Sequence, residues 1–254
     1  EIWRTAERWT SRKYMLKLVG QDKKYKTEHS KNNQMMYWKL RKNSQKPPGW
    51  QPPTDITKLS FPDWYQKAID MEQYDPDNGD AKPIIDKEHW YFRLNAAYNS
   101  PTDYVYDELP MFVPTQPGFF MVDPSDERGI NCRFGMKGIV AATHYDMSRN
   151  FIFILKGQKR YILAHPNQCG NLMLHPSGHP SGRHSSIDWS NPDEWQTGNF
   201  PQAKVNEVVL QAGDALYLPT AWFHFIVSLN LNYQCNARSG ITYENKKALL
   251  DCGF

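Results

Sequence analysis

The 254-residue chain carries 30 Lys/Arg against 27 Asp/Glu, a formal net charge of +3, with 40% hydrophobic and 14% aromatic residues. That balance excludes a disordered or collagen-like chain and fits one large domain with a sizeable core. No apolar run approaches the ~18 residues of a transmembrane helix, so no membrane span is expected.

The chain opens on Glu1 without a charged-then-apolar leader and reads as a fragment or a processed form. Its charge is uneven: residues 1–50 hold 13 Lys/Arg and 4 Asp/Glu, a net +9 that leaves −6 for the remainder. Trp3, Trp9, Tyr14, Tyr25, Tyr37 and Trp38 are interleaved with these cations. The segment reads as a basic flank whose aromatics pack onto the main domain, or as an arm that binds RNA through phosphate contacts and stacking. Pro47, Pro48, Pro52 and Pro53 then break any regular element, since proline fixes φ and lacks the N–H. Residues 1–53 are thus expected to be flank and linker, and residues 54–254 the functional domain.

A helix is predicted after Ser60, which caps the first turn with Pro62 and Asp63 just inside, while Trp64, Ala68 and Ile69 supply an apolar stripe. Trp90–Leu94 reads as a strand and Thr102–Leu109 as a short helix. From Met111 the texture becomes short β-branched and aromatic runs separated by Gly, Pro, Asn and Asp. The clearest runs are Gly138–Ala142, Phe151–Leu155, Arg160–Ala164, Glu207–Gln211, Ala215–Leu218, His224–Leu229 and Tyr233–Asn236. This is the pattern of an all-β sandwich or barrel. Residues 165–206 interrupt it with a Pro/Gly/Ser/His-rich insertion, long enough to suggest a function. The four cysteines, Cys132, Cys169, Cys235 and Cys252, form no CxxC. Such spacing speaks against a zinc knuckle or a disulfide scaffold and for reduced thiols in an intracellular protein of cytoplasm or nucleus.

His144, Tyr145 and Asp146 end one strand-like run, and the two-residue period turns His144 and Asp146 to one face. A third metal ligand must come from a distant strand; His224, heading the strand after Gly213–Pro219, fits. Two histidines and a carboxylate on one face leave open positions, the arrangement of non-haem Fe(II) oxygenases. A closed zinc site would draw on cysteines that are not nearby. An anionic cosubstrate needs an inward cation, and by alternation Lys159 shares a face with Tyr161 while Arg160 points away.

Together, Thr143-His144-Tyr145-Asp146, Asn150-Phe151, Lys156-Gly157-Gln158-Lys159-Arg160, His165-Pro166, Gly213–Pro219 and Trp222-Phe223-His224 resemble the JmjC/cupin-like 2-oxoglutarate oxygenases. The closest type is similar to the asparaginyl hydroxylase that inhibits hypoxia-inducible factor. The resemblance covers residues 88–240. It implies flanking helices around a double-stranded β-helix (jelly-roll) core at about residues 111–240, with Fe(II) held by His144, Asp146 and His224. It also implies 2-oxoglutarate and O2 as cosubstrates, Lys159 and Tyr91 on the far carboxylate of 2-oxoglutarate, and Asn150 and Asn236 along the pocket. The expected reaction is hydroxylation of a protein side chain, with RNA or methylated lysine as alternative substrates and a catalytically inert cupin-like module as the competing reading. Ala141 stands where the resembling hydroxylase has a pocket threonine. Thr143 is the candidate to replace it, although alternation turns it to the other face. Arg238 stands where that hydroxylase has a tryptophan. Thr242–Leu250 has helical composition, and in the resembling hydroxylases a helix after the barrel makes a homodimer. In the insertion, Pro176, Gly178 and Pro180 exclude a helix, so the spacing of His175 and His179 carries no helical pairing.

Overall fold

The structure is a computed structural model and describes residues 2–75 and 82–253. In chain order the helices are α1 (Ile2–Thr10), α2 (Arg12–Val19), α3 (Phe61–Glu72), α4 (Tyr104–Glu108) and α5 (Tyr243–Asp251). The strands are β1 (Lys24–Ser30), β2 (Gln34–Met35), β3 (Asp55–Ser60), β4 (His89–Ala96), β5 (Glu127–Gly135), β6 (Val140–Tyr145), β7 (Asn150–Lys156), β8 (Gln158–Ala164), β9 (Asn206–Gln211), β10 (Ala215–Leu218), β11 (Phe223–Ser228) and β12 (Asn232–Ser239). They form a seven-stranded sheet, β10-β7-β12-β5-β4-β1-β3, and a five-stranded sheet, β2-β6-β11-β8-β9. This is the expected jelly-roll core with flanking helices, in which strands distant in sequence pair.

Strand alternation sorts the two faces of the large sheet. Phe151, Phe153 and Leu155 of β7, with Tyr233, Cys235 and Ala237 of β12, pack in the aromatic core beneath the helices. Ile152 and Ile154 turn the other way and meet Tyr161, Leu163, Leu210 and Ile226 inside the roll. The β7–β8 turn depends on Gly157, whose φ is +69° and where a Cβ would collide with the Leu231 carbonyl. That tight turn fixes the register that brings Lys159 inward. Ser60 caps α3 by accepting from the Asp63 N–H, with Pro62 in the first turn as expected.

Two expectations are corrected. Residues 1–53 do not form a flank outside the fold, because β1 is paired between β3 and β4 and β2 pairs with β6. Trp9 of α1 is fully buried, and its Nε1 donates to Glu108 Oε2 at 3.0 Å. The aromatics of the segment divide, since Trp3 and Tyr37 remain exposed. The cysteines are not free thiols: Cys132 pairs with Cys235 across the β5–β12 ladder, and Cys169 pairs with Cys252. Separations of 103 and 83 residues carry no local signature of such pairing. Among the described residues no helix is long and apolar enough to cross a membrane.

Candidate metal centre

β6 and β11 run antiparallel with His144 directly opposite His224. The register shifts between His224 and Ile226, whose partners are His144 and Ala141. This irregularity puts three β6 steps against two on β11, so Ala141 and His144 both line one cavity despite their opposite parity. Asp146 follows just after β6 on the same face as His144. Ligand atoms of His144, Asp146 and His224 all lie within 4.8 Å of one another, the one such group found among the described residues.

The protonation pattern suits a metal. His144 Nδ1 lies 2.8 Å from the Ala142 carbonyl and His224 Nδ1 3.1 Å from that of Trp222. Each Nδ1–H donates to its carbonyl, which leaves both Nε2 lone pairs for a ligand-accepting cation. Burial lowers the pKa of both rings; for His144 the charges of His224 and His184 add to it. Burial works against the ionised form of Asp146, but Arg238 and the two histidines outweigh it and hold the carboxyl well below the usual carboxylate range. Arg238 Nη2 approaches Asp146 Oδ2 to 2.8 Å, yet without hydrogen-bond alignment, so Oδ2 keeps no hydrogen-bond partner. Two neutral imidazoles and an under-satisfied carboxylate fit a divalent metal that retains open positions.

The cavity measures about 300 Å³ and is lined by Tyr91, Ala141, Asn150, Gln234 and Asn236 beside the triad. Lys159, fully buried, reaches it through two of these residues: its Nζ donates to Tyr91 Oη at 2.7 Å and to Gln234 Oε1 at 2.9 Å. Burial, then the Arg133 charge, lowers the Lys159 ammonium to about 7. Asn236 Nδ2 donates to Asn150 Oδ1 at 2.8 Å. The structure therefore brings together every expected pocket residue except Thr143. That side chain lines a separate hollow with Ser185, Trp189 and Phe225, because alternation turns it away from His144.

Sequence reasoning missed Glu28, Arg93, Arg133, Arg183, His184 and Gln234, all of which line the cavity. For two of them the signal was present: Arg93 lies two after Tyr91 and Gln234 two before Asn236, so strand periodicity puts each pair on one face. Within the insertion, His184 stacks on His144 with ring centroids 5.1 Å apart, and burial lowers its pKa to about 3. His175 and His179 stack at 4.0 Å across a turn, with no helix between them, as the prolines and Gly178 require.

The cupin-like domain family matches residues 1–238 of the chain. The chain is 33% identical over 108 residues to JmjC domain-containing protein D of Dictyostelium discoideum, covering 42% of this chain and 24% of that protein. It is 36% identical over 97 residues to tRNA wybutosine-synthesizing protein 5 of Gallus gallus, 38% of this chain and 29% of that one. With lysine-specific demethylase 8 of Xenopus tropicalis it shares 32% over 114 residues, 42% of this chain and 24% of the relative. The matched stretches thus span less than a third of these relatives' own length. The match to the family spans nearly the whole chain and agrees with the jelly-roll sheets, and the chain belongs to the cupin-like domain family.

Proposed function

We propose that the chain is an Fe(II)- and 2-oxoglutarate-dependent oxygenase that hydroxylates a protein side chain. In that reaction O2 supplies one oxygen atom to the substrate C–H bond and one to 2-oxoglutarate, which leaves as succinate and CO2. The observation that carries this reading is the convergence of His144, Asp146 and His224 on a cavity lined by Tyr91, with the buried Lys159 bonded to Tyr91 just behind it. Iron held by the triad would supply the redox chemistry. The protein's own residues bind and orient. Lys159 and Tyr91 would offer two donors to the far carboxylate of 2-oxoglutarate, and Asn150 and Asn236 line the same cavity as the triad. Their burial withholds water from the reacting groups and strengthens each charge interaction.

Relatives named for lysine demethylation and for tRNA wybutosine synthesis suggest other substrates. A methylated lysine is disfavoured on charge, since Arg93, Arg133, Arg183 and Arg238 all line the cavity. The test is anaerobic binding of Fe(II) and 2-oxoglutarate, then succinate release on admitting O2, for the wild type, Asp146→Ala and Lys159→Ala. Succinate from the wild type alone is expected. Iron binding without succinate, even with candidate peptides, would instead mark an inert cupin-like module.

A further inference from the structure

We propose that Arg183 and Arg238 form an anion-recognising subsite at the mouth of the metal cavity, and that the substrate is an acidic segment of a protein. The proposal rests on the oxygenase reading and names the substrate class that reading leaves open.

The charge inventory of the cavity is lopsided. Arg93, Arg133, Arg183 and Arg238 line it and Lys159 stands just behind, whereas Glu28 and Asp146 are its carboxylates among the described residues. Arginine stays protonated even where burial lowers its pKa, as at Arg133 and Arg93. Glu28 is engaged by Arg93. Asp146 is shared by Arg238 at 2.8 Å and Arg183 at 3.5 Å, and it is also a metal ligand candidate. A divalent metal and the 2-oxoglutarate dianion cancel each other, so a cationic excess persists after both are bound. Lys159 and Tyr91 account for the far carboxylate of the cosubstrate, which leaves the arginines without an equivalent anion. Arg238 Nε and Arg93 Nε are buried donors with no hydrogen-bond partner. Unpaired buried donors and uncompensated charge are costly, and a carboxylate meeting a guanidinium fork removes both costs.

The surroundings extend the argument outward. A second groove, about 540 Å³, shares Tyr37, Arg183 and His184 with the metal cavity and is further lined by Lys39, Arg41 and Lys42. Its wall holds no carboxylate among the described residues. A segment lying there passes three exposed cations before it reaches Arg183, a field that favours negative flanking residues. The inner cavity decides between a peptide and a nucleic acid. At about 300 Å³ it stands at the small end of ligand pockets and must hold the cosubstrate as well. That leaves room for a side chain rather than for a nucleotide with its sugar.

The experiment uses the full chain with Mn(II) in place of iron and with 2-oxoglutarate, whose uptake is first measured by calorimetry. Anisotropy then follows a labelled peptide alternating Asp and Gly, its Asn-Gly counterpart, and an oligouridylate of similar length. The acidic peptide is expected to bind roughly ten-fold or more tighter than the Asn peptide, with affinity falling as salt is added. Arg183→Gln should weaken it roughly ten-fold and Arg183→Lys less, since a charged hydrogen bond is lost in the first and partly kept in the second. Arg160→Gln, whose guanidinium pairs with Glu207 outside the cavity, should leave binding unchanged. Equal binding of the two peptides, or an Arg183→Gln variant that binds like wild type, overturns the subsite. Tighter binding of the oligouridylate overturns the peptide in favour of RNA. Arg183-dependent binding of the acidic peptide by a protein that takes up neither Mn(II) nor 2-oxoglutarate upholds the subsite and refutes the oxygenase reading.

Discussion

Lys159 Nζ lies 2.7 Å from Tyr91 Oη in a pair buried beneath the metal cavity. Burial and the Arg133 charge lower the ammonium from 10.5 to about 7, so the folded chain releases this proton before the unfolded chain does. Stability therefore rises with pH between those two values, and the buried charge is a cost below the lower one. Binding of the 2-oxoglutarate dianion reverses the balance by restoring the charged form. Above pH 7, cosubstrate binding should be accompanied by proton uptake and should weaken as pH increases. Calorimetry in two buffers of different ionisation enthalpy reads this directly. Binding without proton uptake, unchanged by pH, would remove Lys159 as the anchor.

The same logic gives the acid limit of metal binding. The neutral imidazole is the ligand form, and burial lowers the pKa of both His144 and His224 below the ordinary 6.5. Mn(II) retention followed by electron paramagnetic resonance should persist to a pH below that value and then fail. Loss of the ion at the ordinary histidine pKa would mean that the rings are more solvated than their packing implies. Asp146→Ala should abolish retention at every pH, since it removes one ligand and leaves Arg238 and Arg183 facing the metal site without their anion.

Trp9 tests whether the basic N-terminal segment is part of the fold. Its ring packs edge-on against Phe134 and Tyr233 at 6.0 and 6.5 Å, and its Nε1 is held by Glu108. Trp9→Ala should cost about 3–5 kcal/mol through the cavity left behind and the partner withdrawn from Glu108. Urea unfolding measures it. A change near zero would restore the segment to the status of a detachable flank.

This segment also shows where the sequence was legible. β7 and β10 follow from short uninterrupted apolar runs and the interior of β8 from alternation, and the metal triad follows because two of its members lie two residues apart on a single strand end. β5 escaped notice because Asn131 and Arg133 break its apolar pattern: Arg133 lines the metal cavity, and Asn131 donates to the Arg128 and Gly129 carbonyls. β1 was hidden by its lysines for the reverse reason: Lys24 and Lys26 reach solvent while Tyr25 and Thr27 between and after them are buried. The β6 irregularity that turns Ala141 inward, and the disulfides that join distant strands and helix ends, depend on tertiary pairing and have no local signal. Arg93 and Arg238 lay within reach of simple periodicity, but Arg133 sits on the unrecognised β5 and Arg183 in the insertion, so four cations in one cavity are not expected until those segments are known to be neighbours.

Gln234, which the sequence reading passed over, provides the sharpest test of how the cavity holds its anion. Its Oε1 accepts from Lys159 Nζ at 2.9 Å and from Tyr161 Oη at 2.6 Å, so it steadies the ammonium without neutralising it. Gln234→Glu keeps the shape and adds a carboxylate at that point. The new charge should raise the Lys159 pKa and compete with the far carboxylate of 2-oxoglutarate. Cosubstrate affinity should fall roughly ten-fold or more, while Mn(II) retention at the triad is preserved. Proton uptake on cosubstrate binding above pH 7 should vanish as well, because the lysine is then already charged before the dianion arrives. Loss of affinity alone could reflect a disturbed wall; loss of affinity together with loss of proton uptake can arise only through the Lys159 ammonium. If neither changes, the dianion is held elsewhere in the cavity, and Arg133, which lines the same wall, becomes the cation to test next.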